Sequence, residues 1–239
     1  MKIAVLGTGV VGSTVGTALV GAGHSVWMGS RTPDNPRAAQ WAESVGEGAA
    51  YGTFTAAARF GEMVFNCTSG AASLEALRQA GAESLRGKVL VDLANPLDFS
   101  RGMPPSLTVC NTDSLGEQIQ RAFPETRVVK ALNTMSCRIM VDPGRVPGRH
   151  HVFLSGDDAR AKADVAALLA QAFGWPWESI LDLGDITTAR GTEMLLPVWV
   201  RLWGALGTPE FNFHVAGAPA RPPVAEPVPD IVAIVSPPA

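Results

Sequence analysis

Lys2-Ile3-Ala4-Val5-Leu6-Gly7-Thr8-Gly9-Val10-Val11-Gly12, followed by an apolar run to His24 and then Val26-Trp27-Met28-Gly29-Ser30-Arg31, reads as strand, glycine loop, helix and second strand. Each glycine has its own task in such a turn. Gly7 allows the sharp exit from the strand, Gly9 lets backbone approach a pyrophosphate, and Gly12 lets helix and strand pack closely. The unpaired amides at the start of the following helix then face the anion. Glycine triplets also occur in loops that bind nothing, and the plain alternative is a structural turn of the same shape. Here the triplet directly follows an apolar strand and opens a helix, the context that makes Gly7, Thr8, Gly9, Val10, Val11 and Gly12 a candidate dinucleotide cradle.

The end of the second strand selects among dinucleotides. An Asp or Glu there would accept from the adenosine ribose hydroxyls and repel a 2′-phosphate. The chain instead has Gly29-Ser30-Arg31-Thr32, with no acid before Asp34. A hydroxyl and a permanently charged guanidinium fork suit a phosphate monoester. Arg37, a helical turn or so further on, offers a second cation. The pattern predicts NADP(H) over NAD(H); the alternative for Arg31 is a solvated loop residue.

With 239 residues, 46% of them hydrophobic and 17% charged, the chain can bury a substantial core. A net charge of −3 without basic clusters argues against a nucleic-acid partner. No signal peptide is evident. Cys67, Cys110 and Cys137 are odd in number and lack metal-ligand spacing, so free thiols in a cytoplasmic protein are expected, with no metal site. The run Met194-Leu195-Leu196-Pro197-Val198-Trp199-Val200-Arg201-Leu202-Trp203 is too short and too interrupted for a bilayer. As a helix it carries a broad apolar face that packs on its own domain or on a second subunit, which makes a homodimer plausible.

Strands and helices alternate as in a Rossmann-type, doubly wound parallel α/β sheet with a small C-terminal α/β elaboration. Helices are expected over 36–44, 55–60, 71–80 and 158–173, and one long helix over 187–206. Strands are expected over 49–52, 62–67, 88–92, 127–131, 151–155 and 179–183. Ser114 with Glu117 forms a capping-box pattern at another helix start. The expected division is a cofactor domain over 1–137, a substrate or dimerisation region over 138–216, and a mobile proline-rich tail over 217–239. Within that tail Asp230-Ile231-Val232-Ala233-Ile234-Val235 could add to a sheet edge.

Taken in order, the glycine loop, the Gly-Ser-Arg turn, Asn95-Pro96-Leu97, Val129-Lys130-Ala131-Leu132-Asn133-Thr134, Gly156-Asp157-Asp158, Asp182-Leu183-Gly184 and Ala189-Arg190-Gly191-Thr192-Glu193 resemble a known family. The chain is similar, from Met1 to about Val215, to NADPH-dependent oxidoreductases of the deazaflavin (coenzyme F420) type, related also to the reductase domain of transmembrane metalloreductases. It departs from them in its long tail and in Cys67-Thr68-Ser69-Gly70, where such enzymes often carry an apolar residue and proline. The resemblance implies that the nicotinamide lies at the carboxyl ends of the central strands, surrounded by Cys67, Thr68 and Ser69, by Asn95 and Pro96, and by Asn133, Thr134 and Met135. It also implies F420 as co-substrate. The alternative for Asn95 and Asn133 is that they satisfy turn backbone.

No acid–base pair is evident. Asp92 sits in an apolar strand, His150 and His151 flank another, and Lys130 and Asn133 are weak catalytic candidates; Lys130, in a strand, reads better as a structural ion pair or cap. Hydride exchange between two stacked cofactors needs mainly proximity and alignment. Two other readings stay open: an NADPH-dependent reductase of a small imine or carbonyl compound, which needs a proton donor such as Lys130, Asp92, Tyr51 or water, and an NADP(H)-sensing regulatory protein.

Overall fold

The computed structural model describes residues 1–217. Strand β1 (Lys2–Leu6) shows why the sheet is covered on both faces. Ile3 and Val5 join one buried cluster while Ala4 and Leu6 join another, the period of two expected of a strand with apolar layers on either side. The chain then builds α1 (Val10–Gly21), β2 (Ser25–Ser30), α2 (Pro36–Val45), β3 (Ala49–Thr53), α3 (Phe54–Phe60), β4 (Met63–Asn66), α4 (Gly70–Ala80), α5 (Ala82–Leu85) and β5 (Val89–Asp92). A small antiparallel pair, β6 (Leu97–Asp98) and β7 (Ser106–Leu107), precedes α6 (Leu115–Ala122) and β8 (Arg127–Ala131). Then come α7 (Cys137–Val141), β9 (Val152–Ser155), α8 (Ala159–Phe173), β10 (Ile180–Asp182), α9 (Ala189–Met194) and α10 (Leu196–Leu206).

Helix starts follow local chemistry. The Asn35 side chain accepts from the amides of Arg37 and Ala38, with Pro36 in the first turn. Thr53 accepts from the Ala56 amide and Asp158 from the Ala161 amide. At α6 the Ser114 hydroxyl accepts from the Glu117 amide, as the capping pattern predicts.

The eight-stranded sheet has the order β10-β9-β8-β5-β4-β1-β2-β3. From β3 to β8 every neighbouring pair is parallel, but β9 runs antiparallel to β8 and carries β10 with it. The C-terminal elaboration, β9 and β10, thus joins the doubly wound parallel frame in the opposite sense. Between β8 and β9 the chain forms only the five-residue α7 and a 3-10 turn. Lacking a crossover helix, it stays at the carboxyl end of the sheet and re-enters in the opposite sense. Six strands and their flanking helices remain the doubly wound frame. The cluster around α1 continues through Val152 and Leu154 of β9 to Val165 and Leu169 of α8.

A correction concerns the single helix expected over 187–206. It is divided into a 3-10 turn at Ile186–Thr188, α9 and α10, with Leu195 between the two helices. Pro197 has no amide to donate and its ring crowds the preceding turn, so it is tolerated only in the first turn of a new helix. Leu196 is the one buried residue of α10, while Val198, Trp203 and Leu206 are exposed. Among the described residues no helix is long and apolar enough to cross a membrane. The tail expected over 217–239, including residues 230–235, lies outside the described residues from 218 onward.

Candidate functional site

The turns leaving β1, β2 and β4 enclose a cleft of about 470 Å³, lined by Gly7, Thr8, Gly9, Ser30, Arg31, Cys67, Thr68 and Ser69. The three glycines of its floor differ in what they permit. Gly7 has φ +117°, and a Cβ there would stand 2.7 Å from the Cys67 carbonyl oxygen. A Cβ on Gly12 would stand 2.1 Å from the Gly7 carbonyl oxygen. Both are glycine because the fold leaves no room. Gly9 is extended, at φ −80° and ψ −178°, and a Cβ on it would meet no protein atom within 4 Å. Its smallness therefore serves something other than the fold. Gly9 caps α1 without a side-chain bond, which leaves the first amides of the helix open. Room above Gly9 and bare amides together fit a pyrophosphate.

At the rim, the Ser30 hydroxyl is engaged in its own turn, donating to the Thr32 carbonyl (2.5 Å) and accepting from the Thr32 amide (3.3 Å). Arg31 is exposed and enters no ion pair among the described residues. Arg37 lines an adjoining groove of about 910 Å³ that shares Thr8, Gly9 and Val10 with the loop. The two arginines thus flank the glycine loop from different sides. Val10 is exposed, and Val11 packs partly against the core.

Asn95, Pro96, Asn133, Thr134 and Met135 are not among the residues lining this cleft, and Asn95 and Asn133 hold each other. Asn95 Nδ2 donates to the Asn133 carbonyl and Asn133 Nδ2 to Asn95 Oδ1, each at 2.9 Å. Leu132, with φ +63°, turns the chain out of β8 just before this pair; a leucine in that conformation is rare and costs about 1–2 kcal/mol. Asn133 Oδ1 is buried without a partner among the described residues. A Cβ on Gly70 would fall 2.0 Å from the Asn95 carbonyl oxygen, so the start of α4 rests directly on the turn after β5. Pro96, Thr134 and Met135 are buried, with Met135 in the core cluster. Cys67 is buried too, and burial, then the Asp92 charge and Cys137, push its thiol far above the ordinary value.

Lys130 has no exposed side-chain surface. Its ammonium donates to the Ala94 carbonyl (2.7 Å) and forms ion pairs with Asp92 Oδ2 (2.5 Å) and Glu193 Oε1 (2.8 Å). Burial alone would push this ammonium down, but the Asp92 and Glu193 charges, with their hydrogen bonds, outweigh it and hold Lys130 above the usual lysine value. Glu193 also accepts from the Leu115 and Gly116 amides (2.8 and 3.0 Å), capping α6 from a distant helix. Lys130 is thus enclosed in an ion-pair cluster, with no exposed side-chain surface from which to meet a ligand. Glu193 and Asn66 received no role from the sequence. The available signal was an asparagine ending the otherwise apolar strand Met63-Val64-Phe65.

His150 and His151 fasten the last described segment. His151 Nδ1 accepts from the Val215 amide (3.1 Å), so its proton sits on Nε2, which is buried and has no partner among the described residues. His214 stacks on the ring with centroids 5.2 Å apart. Burial, then the charges of Arg149, His214 and His150, hold the His151 pKa below its ordinary value. Tyr51 is exposed on β3 at the sheet edge, away from this cluster.

A glycine cradle at a helix start, an arginine at the end of β2 and a crevice at the carboxyl ends of parallel strands define a dinucleotide-binding protein of the NADP(H) type. The model of the family described as NADP oxidoreductase, coenzyme F420-dependent, matches residues 2–96. The chain is 57% identical to a crystallised protein of Arthrobacter sp. FB24 assigned as an F420-dependent NADP-reductase, over 90% of this chain and 99% of that one, with a TM-score of 0.85. It therefore belongs to the family of F420-dependent NADP oxidoreductases. It is also 33% identical over 205 residues to the metalloreductase STEAP3 of Rattus norvegicus, matching 83% of this chain; it spans only 38% of that protein's length. An imine reductase from Aspergillus terreus shares the fold at 20% identity, with a TM-score of 0.60 over 86% of this chain and 62% of that one.

Proposed function

We propose that the protein exchanges hydride between NADP(H) and a deazaflavin of the coenzyme F420 type. The observation that carries this reading is the single cleft joining the glycine loop, the Ser30-Arg31 turn and the Cys67-Thr68-Ser69 turn, in a chain closely similar to a protein assigned to that reaction. The open amides of α1 bind the pyrophosphate, Arg31 holds the 2′-phosphate with Arg37 adding charge nearby, and the loops carrying Thr68, Asn95 and Asn133 orient the nicotinamide half. NADPH, when bound, supplies the hydride. The chain's own contribution is alignment, worth up to about 7–11 kcal/mol in well-oriented reactions.

A small imine or carbonyl acceptor would call for a proton donor at the cleft. Lys130 and Asp92 are enclosed in their ion pair, which favours an acceptor that needs no protein acid. Residues 1–137 would then hold NADP(H), and residues 138–216 the acceptor side. The exposed apolar side of α10 supports a homodimer, checked by sedimentation of the full chain, and the unpaired Cys67, Cys110 and Cys137 suit the cytoplasm.

Anaerobic mixing of the protein with NADPH and F420, followed at the nicotinamide absorbance, tests the assignment. Stoichiometric NADPH oxidation by F420 is expected. No transfer to F420, with turnover of imines or carbonyls, would replace it.

A further inference from the structure

A hydrogen-bonded chain leads from the buried Lys130 cluster out to the cleft wall, and it has a direction. Asp92 Oδ1 only accepts; it takes bonds from Asn66 Nδ2 (2.7 Å) and from the Ala94 amide (3.2 Å). The nitrogen end of the Asn66 amide is thereby turned to Asp92, and it also donates to Ser73 Oγ (3.1 Å). At the other end, the backbone amide of Thr68 points at Asn66 Oδ1 (3.3 Å), independently marking that atom as the oxygen. Asn66 Oδ1 can only accept, so the Thr68 hydroxyl, 2.6 Å away, must give it its one proton. Ser73 Oγ lies 2.9 Å from the same hydroxyl and, the Thr68 proton being spent, shares its own proton between that oxygen and the Ser69 carbonyl (3.1 Å), which leaves one Thr68 lone pair open. Asn66, Asp92 and Lys130 are buried at 0%, 0% and 1% exposure, where water cannot rearrange these bonds.

We propose that this chain fixes the polarity of Thr68, so that its hydroxyl meets the cleft as a hydrogen-bond acceptor and selects a donor group on the nicotinamide riboside half of the cofactor. Asn66 and Asp92 are positioning residues for that contact. The inference rests on the reading of the cleft as the NADP(H) site. An acceptor-facing hydroxyl repels phosphate and carboxylate oxygens and fits a ribose hydroxyl or the N–H of a carboxamide. It thereby discriminates at the end of the cleft away from the phosphate-binding amides.

The test is calorimetric titration of the full chain with three probes: NADP⁺, its nicotinic-acid analogue bearing a carboxylate for the carboxamide, and adenosine 2′,5′-bisphosphate, which lacks the riboside half. Thr68→Val is expected to weaken NADP⁺ about tenfold while leaving the bisphosphate within twofold, and Thr68→Ser to restore NADP⁺ binding. Asn66→Ala should reproduce the loss, and the double variant should be no worse than Thr68→Val. In the wild type, an analogue at least tenfold weaker than NADP⁺ makes the donor the carboxamide, and an analogue of equal strength makes it a ribose hydroxyl. NADP⁺ binding unchanged in Thr68→Val, equal losses for NADP⁺ and bisphosphate, or additive losses in the double variant would overturn the inference. Should Asn66→Ala fail to fold, the Thr68 pair decides alone. A wild type that binds neither NADP⁺ nor bisphosphate would overturn the cleft reading itself.

Discussion

Replacing Gly9 by valine should abolish tight cofactor binding in a protein as stable as the parent. Gly9 has an extended backbone that any residue can adopt, and a Cβ there meets no protein atom within 4 Å. Removing a glycine from the unfolded chain favours folding by about 0.4–1 kcal/mol. Losing a good N-cap residue from α1 costs a comparable amount, about 0.5–1 kcal/mol. The two nearly cancel. Binding has no such compensation, because the isopropyl group occupies the approach to the helix amides. Loss of one or more charge-assisted hydrogen bonds, about 1.5–3 kcal/mol, weakens NADP⁺ roughly ten- to 150-fold. Gly12→Ala is the opposite case: its Cβ would lie 2.1 Å from the Gly7 carbonyl oxygen, so strand and helix must separate at a cost of about 1–3 kcal/mol or more. Urea unfolding and calorimetric titration of both variants separate these effects. Undiminished NADP⁺ affinity in Gly9→Val, or a loss of stability matching that of Gly12→Ala, would refute the reasoning.

Arg31→Ala should weaken NADPH by about 1–3 kcal/mol and leave NADH nearly unchanged, since only the former carries the 2′-phosphate; equal affinities of the parent for both cofactors would exclude the assigned role. Lys130→Met should destabilise the fold by about 3–5 kcal/mol, because Asp92 and Glu193 would remain buried without their cation; a change below about 1 kcal/mol in urea unfolding would show that the cluster relaxes. The depressed pKa of His151 means that the unfolded chain takes up a proton more readily. Its contribution to stability is therefore complete above about pH 6.5 and declines as the pH falls through the folded-state value. Against the parent, His151→Gln should show a flatter loss of melting temperature between pH 7 and 5, and identical slopes would assign that loss to other groups.

The elements legible in the sequence were those set by local signals. The β1 apolar run, the glycine loop, the start of α2 at Pro36 and the Ser114 cap needed no knowledge of distant contacts. Elsewhere a non-local choice decided. Nothing near residues 132–151 says that the chain will return antiparallel, and α7 is too short to show a helical period. The break before α10 was readable at Pro197 but was overridden by the apolar pattern on either side. Asn95 and Asn133 were both singled out, yet only the folded chain shows that they bond to each other.

Lys130 shows most clearly why the chemistry was harder to read than the fold. A lysine in an apolar strand is compatible with a catalytic amine or with a structural ion pair, and the difference lies in partners that arrive from β5 and α9. Bonded to the Ala94 carbonyl and enclosed between the Asp92 and Glu193 carboxylates, the ammonium is a fixed charge that orients its neighbours. Through Asp92 that orientation passes to Asn66 and reaches the cleft at Thr68. A site organised in this way contributes little to proton transfer and much to alignment, and hydride exchange between two bound rings is the chemistry that depends on alignment.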